Sequence, residues 1–124
     1  MRGLLLDVWN NVVKEEDPQD LDDYYKILRC DTIDIKERRV GNGKLPFSIV
    51  CDDNGLFEKD IRISATNNDN DLMFVGSIFV TGPWDGEESM MALEQVKVDY
   101  LMKYIKTAIR ADGVRNPVLT CCNY

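Results

Sequence analysis

Residues 20–40 read DLDDYYKILRCDTIDIKERRV, and two different hydrophobic periods meet within them. Asp20 is a favourable N-cap residue, and Asp22 and Asp23 follow in the first turn, where the helix dipole favours negative charge. Leucines at 21 and 28, with a tyrosine between them, recur at helical spacing. The pattern predicts a short helix over residues 20–29.

After residue 31 the hydrophobic period changes to two. Ile33 and Ile35 point to one side of an extended chain, and Asp34 and Lys36 point to the other. Arg39 has the same parity as the two isoleucines, so we expect its side chain to point towards the core. The Gly-Asn-Gly turn at 41–43 then predicts an antiparallel hairpin with a strand over residues 47–51.

The rest of the chain adds strands and one long helix. Strands are expected over residues 4–9 and 72–81, and residues 12–14 form either a short second strand that folds back or a continuation of the first. Gly76 interrupts the strand at 72–81, which indicates a bulge or a close backbone approach. A helix is expected over residues 89–110, with an apolar stripe formed by Leu93, Val98, Leu101, Tyr104, Ile105, Ala108 and Ile109.

This element order predicts an α+β fold. We expect an antiparallel or mixed sheet of about 4–6 strands, with the short helix and the long C-terminal helix packed on it. Residues 1–124 are expected to form a single domain. The tail, residues 114–124, adds a short strand, lies at the periphery or contacts an oligomer partner.

The bulk composition narrows the class of protein. The net charge is −7, which argues against direct binding to nucleic acid or to an anionic membrane. Residues 1–9 do not resemble a signal peptide, and no apolar run approaches the length needed to span a bilayer, so a cytoplasmic location is expected.

No recognised catalytic or metal-binding motif is present. The chain has no histidine, which removes the commonest general base, and its four cysteines form no Cys-x-x-Cys pair. We therefore expect a protein that is not an enzyme, with no metal and no cofactor. Cys30 and Cys51 are expected in the core, and Cys121 with Cys122 forms either a vicinal disulfide or a free thiol pair.

The densest positive charge lies at residues 36–44, which hold four basic residues and one acid. Arginine forks and a glycine-rich turn suit a phosphate group, whereas the alternative is a solvated hairpin tip. Loop aromatics can stack on a base, although they can also cover the core. The candidate ligand-binding residues are Arg38, Arg39, Lys44, Arg62, Trp84 and Tyr25.

Three segments carry a family resemblance: residues 20–35, the CDDNGL segment at 51–56, and FVGSIFVTG at 74–82. Together they resemble a small family of uncharacterised domains found in phages, plasmids and related mobile elements of Firmicutes. The resemblance implies a mobile-element context. Small cytoplasmic proteins of that kind often counter host defence by binding a defence protein or its nucleotide signal.

Two functions are weighed on this basis. The first is a non-enzymatic protein, expected to be a homo-oligomer, that sequesters a phosphate-containing nucleotide-type signal. The second is an acidic inhibitor that docks onto a basic host protein, in the manner of a nucleic-acid mimic. An enzyme that uses only lysine, tyrosine or carboxylate groups is the remaining alternative.

Overall fold

The computed structural model describes residues 3–41, 46–52, 62–69, 71–82 and 95–121. Within these residues the chain forms nine strands and two helices. In chain order they are β1 Gly3–Asp7, β2 Val12–Glu16, α1 Leu21–Leu28, β3 Ile33–Arg39, β4 Pro46–Asp52, β5 Ile63–Thr66, β6 Leu72–Val75, β7 Ile78–Thr81, α2 Gln95–Met102, β8 Ile105–Ile109 and β9 Arg115–Thr120.

The strands form two sheets. The first sheet has the order β2-β1-β7-β4-β3, and every neighbouring pair in it is antiparallel. The second sheet has the order β6-β5-β9-β8, with β5 and β9 parallel and the other pairs antiparallel. The predicted hairpin of β3 and β4 is confirmed by its register, which pairs Ile33 with Asp52 and Arg39 with Pro46.

The central strands of the first sheet are apolar at successive positions, so apolar side chains point to both faces of the sheet. Each face is covered by other elements of the chain. Leu6, Ile49 and Val80 point into a core shared with the second sheet and α2. The intervening Leu5 and Phe79 point to the opposite face, where they pack with Leu28 of α1. A strand that is apolar at successive positions suits such a central place, and β7 lies in the middle of the first sheet.

The short helix α1 is confirmed. The Asp20 side chain accepts a hydrogen bond from the Asp23 backbone N–H at 3.0 Å, as an N-cap should. The helix ends at Arg29, which adopts the left-handed conformation with φ 54°. Tyr24 contacts Phe79 edge-to-face at 5.5 Å between ring centroids, which anchors α1 to the first sheet.

The predicted long C-terminal helix is wrong. The helix α2 ends at Met102, and hydrogen bonds from Lys103 N to Tyr100 O and from Tyr104 N to Leu101 O tighten its last turn. The chain then extends into β8, which pairs with β9 over its whole length. Isoleucine and threonine at alternate positions of β8 suit a strand, and pairing with β9 overrides the helical spacing.

The fold class is corrected accordingly. The described residues are mostly β, with two sheets and two short helices, and they do not form an α+β fold with a long helix packed on one sheet. Residues 72–81 also differ from the prediction, since they form two strands in different sheets. Gly76, at φ 75°, lies where the chain passes from β6 to β7, and its N–H donates to Arg62 O at 2.8 Å.

The two sheets are tied together near the end of the described chain. Val40, just after β3, forms an isolated bridge with Cys121, just after β9. The Gly41 N–H donates to Thr120 O at 2.9 Å, and the Cys121 N–H donates to Thr66 O at 2.8 Å. The tail segment that forms β9 therefore lies between β5 and β8 and supplies core residues.

Candidate functional site

The strand β3 lies at an edge of the first sheet, and its basic residues point to opposite faces. Arg38 pairs with Phe47, whose side chain lies in the core between the sheets, so Arg38 shares the face that looks towards the second sheet. Its side chain is half-buried there. Arg39 points to the other face and is exposed.

The expectation that Arg39 points into the core is wrong, although its parity was assigned correctly. Arg39 does share a face with Ile33, which packs against the cluster beneath α1. The cover given by α1 does not continue along the strand, since Ile35 is already 40% exposed. The far end of that face is solvent-accessible, and an arginine there needs no buried partner.

Arg38 has an aromatic environment. Its guanidinium carbon lies 5.8 Å from the centroid of the Phe74 ring, which is within the range of a cation–π contact. Its Nη1 donates to the Glu37 carbonyl oxygen at 2.8 Å. The guanidinium of Arg38, which is always charged, therefore lies next to apolar residues of the core between the two sheets.

Further aromatic rings extend from this point. Phe47 stacks on Tyr100 with ring centroids 6.1 Å apart, and Tyr100 contacts Tyr104 at 5.1 Å. The Tyr100 hydroxyl donates to the Val40 carbonyl oxygen at 2.6 Å, which fixes α2 against the end of β3. We name the four rings of Phe74, Phe47, Tyr100 and Tyr104 the aromatic strip.

Sequence reasoning did not identify the aromatic strip as part of a site. Tyr104 belongs to the predicted core stripe of a long helix, whereas Tyr100 is not singled out by the sequence pattern. Both tyrosines are half-buried and pack against the core between the sheets. Tyr100 stacks on Phe47, the residue paired with Arg38, and this contact depends on the pairing of β3 with β4 and on the position of α2, neither of which is a local property of the sequence.

An ion pair lies on the same face of β3 as Arg38. Lys36 Nζ is 2.9 Å from Asp34 Oδ2. The hydrogen bond from Lys36 lowers the pKa of the Asp34 carboxyl, with smaller contributions from the Ile35 N–H and from Arg38. The same contact raises the pKa of Lys36. Lys36 is therefore engaged by a carboxylate of its own strand.

Two other predicted ligand residues lie elsewhere. Arg62 stacks on the Trp9 ring at 5.0 Å, and its Nη1 donates to Val8 O at 3.0 Å and to Trp9 O at 3.3 Å. It thereby holds the turn between β1 and β2. Tyr25 is on α1, across the first sheet from the face that carries Arg38.

The structure does not bring the predicted ligand residues together. Arg38, Arg39, Arg62 and Tyr25 occupy separate surroundings, and Lys44 and Trp84 lie outside the described residues. Of the four that the structure describes, Arg38 is the residue that joins an aromatic cluster shared by both sheets and α2.

The thiols and acidic groups do not assemble a metal centre in the described segments, which contain no group of three or more cysteine, aspartate or glutamate side chains arranged for a metal ion. Cys30 is half-buried, and Cys51 and Cys121 are buried in the core between the sheets, while Cys122 lies outside the described residues. Burial, with the nearby Asp52 and Asp31 charges, raises the pKa of Cys30 to about 11, which keeps the thiol protonated and unreactive at neutral pH.

The fold and the site define a small two-sheet β domain with one helix on its outer face and a cationic aromatic cluster at one edge strand. The chain belongs to the family described as Domain of unknown function (DUF3846), whose model matches residues 1–106. No curated protein and no solved structure matched the chain. Neither helix in the described residues has the length and apolarity required to cross a membrane.

Proposed function

We propose that this protein is a non-enzymatic binding protein for a small ligand that carries a phosphate group and a flat ring. The observation that carries the proposal is the half-buried Arg38 guanidinium, held 5.8 Å from the Phe74 ring beside the aromatic strip. A guanidinium in a partly desolvated position binds a phosphate more strongly than a fully hydrated one would.

The neighbouring tyrosines suit the other half of such a ligand. The half-buried Tyr100 and Tyr104 are the aromatic side chains that would stack on a nucleobase, and stacking on an aromatic ring contributes about 1–3 kcal/mol per base. Tyr100 is held in place by its hydrogen bond to Val40, so little side-chain entropy is lost on binding. Lys44 and Trp84 remain predicted contributors.

The biological setting follows from the resemblance to mobile-element domains. We place the protein in a phage or mobile element of Firmicutes, acting in the host cytoplasm. There it would sequester a nucleotide-type signal of host defence without converting it chemically. Such a role requires tight binding and no turnover, which agrees with a site built from an arginine and aromatic rings.

Adjacent arginines of β3 provide a matched test. Isothermal titration of the wild type against cyclic nucleotides and ADP-ribose-type nucleotides should detect binding to at least one of them. Arg38→Gln should weaken that binding by at least about tenfold, because a charge-assisted hydrogen bond is worth about 1.5–3 kcal/mol. Arg39→Gln, on the exposed face of the same strand, should bind as the wild type does.

Three outcomes contradict the proposal: no heat from the wild type across the whole panel, equal losses in both variants, or conversion of any nucleotide to a product. The last outcome would favour an enzyme. Thermal unfolding of each variant provides the folding control.

A second candidate function is supported by the acidic surface. Residues 15–23 contain six carboxylates and no basic residue. Glu15, Asp17, Asp20 and Asp22 are exposed, and the stretch forms the end of β2 and the start of α1. Such a surface suits docking onto a basic host protein. Capture of one host protein that is lost at high salt, and lost on Asp17→Lys with Asp22→Lys, would support this function.

A further inference from the structure

The outer edge of β8 offers backbone hydrogen-bonding groups. Tyr104 O accepts from Thr120 N at 2.9 Å, and Arg110 N donates to Val114 O at 2.8 Å. Antiparallel pairs alternate, so the even-numbered residues of β8 bond to β9. Ile105, Thr107 and Ile109 therefore direct their N–H and C=O groups away from β9. Thr107 pairs with Pro117, which has no N–H to offer.

The side chains along this edge are basic and partly apolar. Residues 103–110 contain three basic residues and no acidic one. Lys103, Lys106 and Thr107 are exposed, and Ile109 is 63% exposed. Among the described strands, β9 is the sole neighbour of β8 in the second sheet.

The first sheet carries an edge of opposite charge. Its edge strand β2 has β1 as its one neighbour among the described strands. Residues 12–17 contain three acids and one lysine, which pairs with Glu16 at 3.3 Å. Val12 is 41% exposed and so provides an apolar contact at the start of the strand.

We propose that the β8 edge of one copy of this chain pairs with the β2 edge of a second copy. The two strands have the same length, five residues each. Pairing β8 with another β8 would bring two basic edges together, and pairing β2 with another β2 would bring two acidic edges together, and both arrangements are unfavourable. Opposite charge selects the mixed pair. Such a contact is head-to-tail, so copies add until a ring closes or a filament grows.

Charge-reversed variants test this arrangement directly, independently of the ligand proposed above. Glu15→Lys with Glu16→Lys alters β2 and leaves β8 intact, whereas Lys103→Glu with Lys106→Glu does the converse. By analytical ultracentrifugation the wild type should associate at low salt and dissociate at about 1 M salt, where the Debye length is about 3 Å. Each variant by itself should be monomeric.

The mixture of the two variants is the decisive sample. The native β8 of one variant faces the native β2 of the other, and the two charge-reversed edges are complementary as well, so a 1:1 mixture should recover the association of the wild type. A wild type that stays monomeric at every protein concentration overturns the proposal, as does a mixture that stays monomeric. Association of either variant by itself, at the level of the wild type, also overturns the proposal. Circular dichroism checks that both variants are folded.

A backbone variant separates strand pairing from general charge attraction. Thr107→Pro removes the outward N–H without removing a bond to β9, and edge strands tolerate proline. It should abolish association, whereas Thr107→Val, which keeps the N–H, should associate as the wild type does. Equal association of both variants would show that the contact does not use the β8 edge.

Discussion

Gly41 is a position where backbone conformation and packing both require glycine. Its φ of 63° lies in the left-handed region, and a Cβ there would collide with the Tyr104 ring. Its N–H also donates to Thr120 O and so helps to join the two sheets. The Gly-Asn-Gly pattern predicts a turn at this position, but it does not predict that the Tyr104 ring lies over Gly41.

We expect Gly41→Ala to destabilise the protein by about 2–5 kcal/mol. Left-handed strain accounts for about 1–2 kcal/mol and overpacking against Tyr104 for about 1–3 kcal/mol. Gly76→Ala is the matched control, because Gly76 has a φ of 75° but nothing within 4 Å of an added Cβ. It should lose only the strain, and urea unfolding measures both. Equal losses would mean that contact with Tyr104 contributes nothing.

The arginine pair of β3 shows how strongly one residue's role depends on its face. Arg38 and Arg39 are neighbours of the same type, yet one lies against Phe74 and the other in solvent. Strand alternation predicts that they diverge. Which of the two lies against the core depends on where the second sheet and α1 pack.

At the scale of elements, α1 owes its position to its ends as well as to its apolar face. The Asp20 carboxylate accepts from Asp23 N, and the Asp23 carboxylate accepts from Gln19 N at 2.9 Å. This reciprocal pair satisfies backbone donors that no helical carbonyl can reach. An eight-residue helix is too short to be stable in isolation, so its caps and its contact with the first sheet act together.

Asp20→Ala should lower the free energy of unfolding by about 1 kcal/mol, the usual cost of losing an N-cap. The control is Gln19→Ala, since the Gln19 side chain makes an exposed hydrogen bond to Asp17 O. That change should stay within about 0.5 kcal/mol. Chemical denaturation followed by circular dichroism measures both variants. A cap substitution as mild as the control would show that packing alone holds α1.

At the scale of the whole molecule, β9 connects the parts. It lies between β5 and β8, its Leu119 is fully buried, and Cys121 beyond it bridges to Val40 at the end of β3. The family model ends at residue 106, within β8, so β9 lies beyond the matched residues. The second sheet nevertheless requires it, because β5 and β8 have no contact of their own in the strand order.

We expect Leu119→Ala to cost about 2–5 kcal/mol, as buried leucine truncations do. Ile109→Ala, in the same sheet but 63% exposed, should cost less than about 0.5 kcal/mol. Trp9 lies beside the first sheet, so its fluorescence can follow that sheet. Mutation of each of the two tryptophans in turn would separate their signals and show whether either one changes when the second sheet is lost. Survival of the first sheet after Leu119→Ala would contradict a shared core.

The sequence by itself determined the elements whose signals are local. The N-cap, the period of the helix and the change to period two placed α1 and β3, because capping and alternation act over a few residues. The glycine turn and the apolar run after it placed the hairpin with β4. The composition also determined that no histidine chemistry can operate here.

The tertiary structure decided everything that depends on distant partners. Residues 105–109 became a strand because β9 supplies a ladder of hydrogen bonds, which outweighs a weak helical preference. One apolar run became two strands because Gly76 let the chain pass between sheets. Arg38 lies near aromatic rings because β4, β6 and α2 pack together on its face of the sheet. Arg39 points to the other face and is exposed. Those contacts join residues far apart in sequence, and no local pattern encodes them.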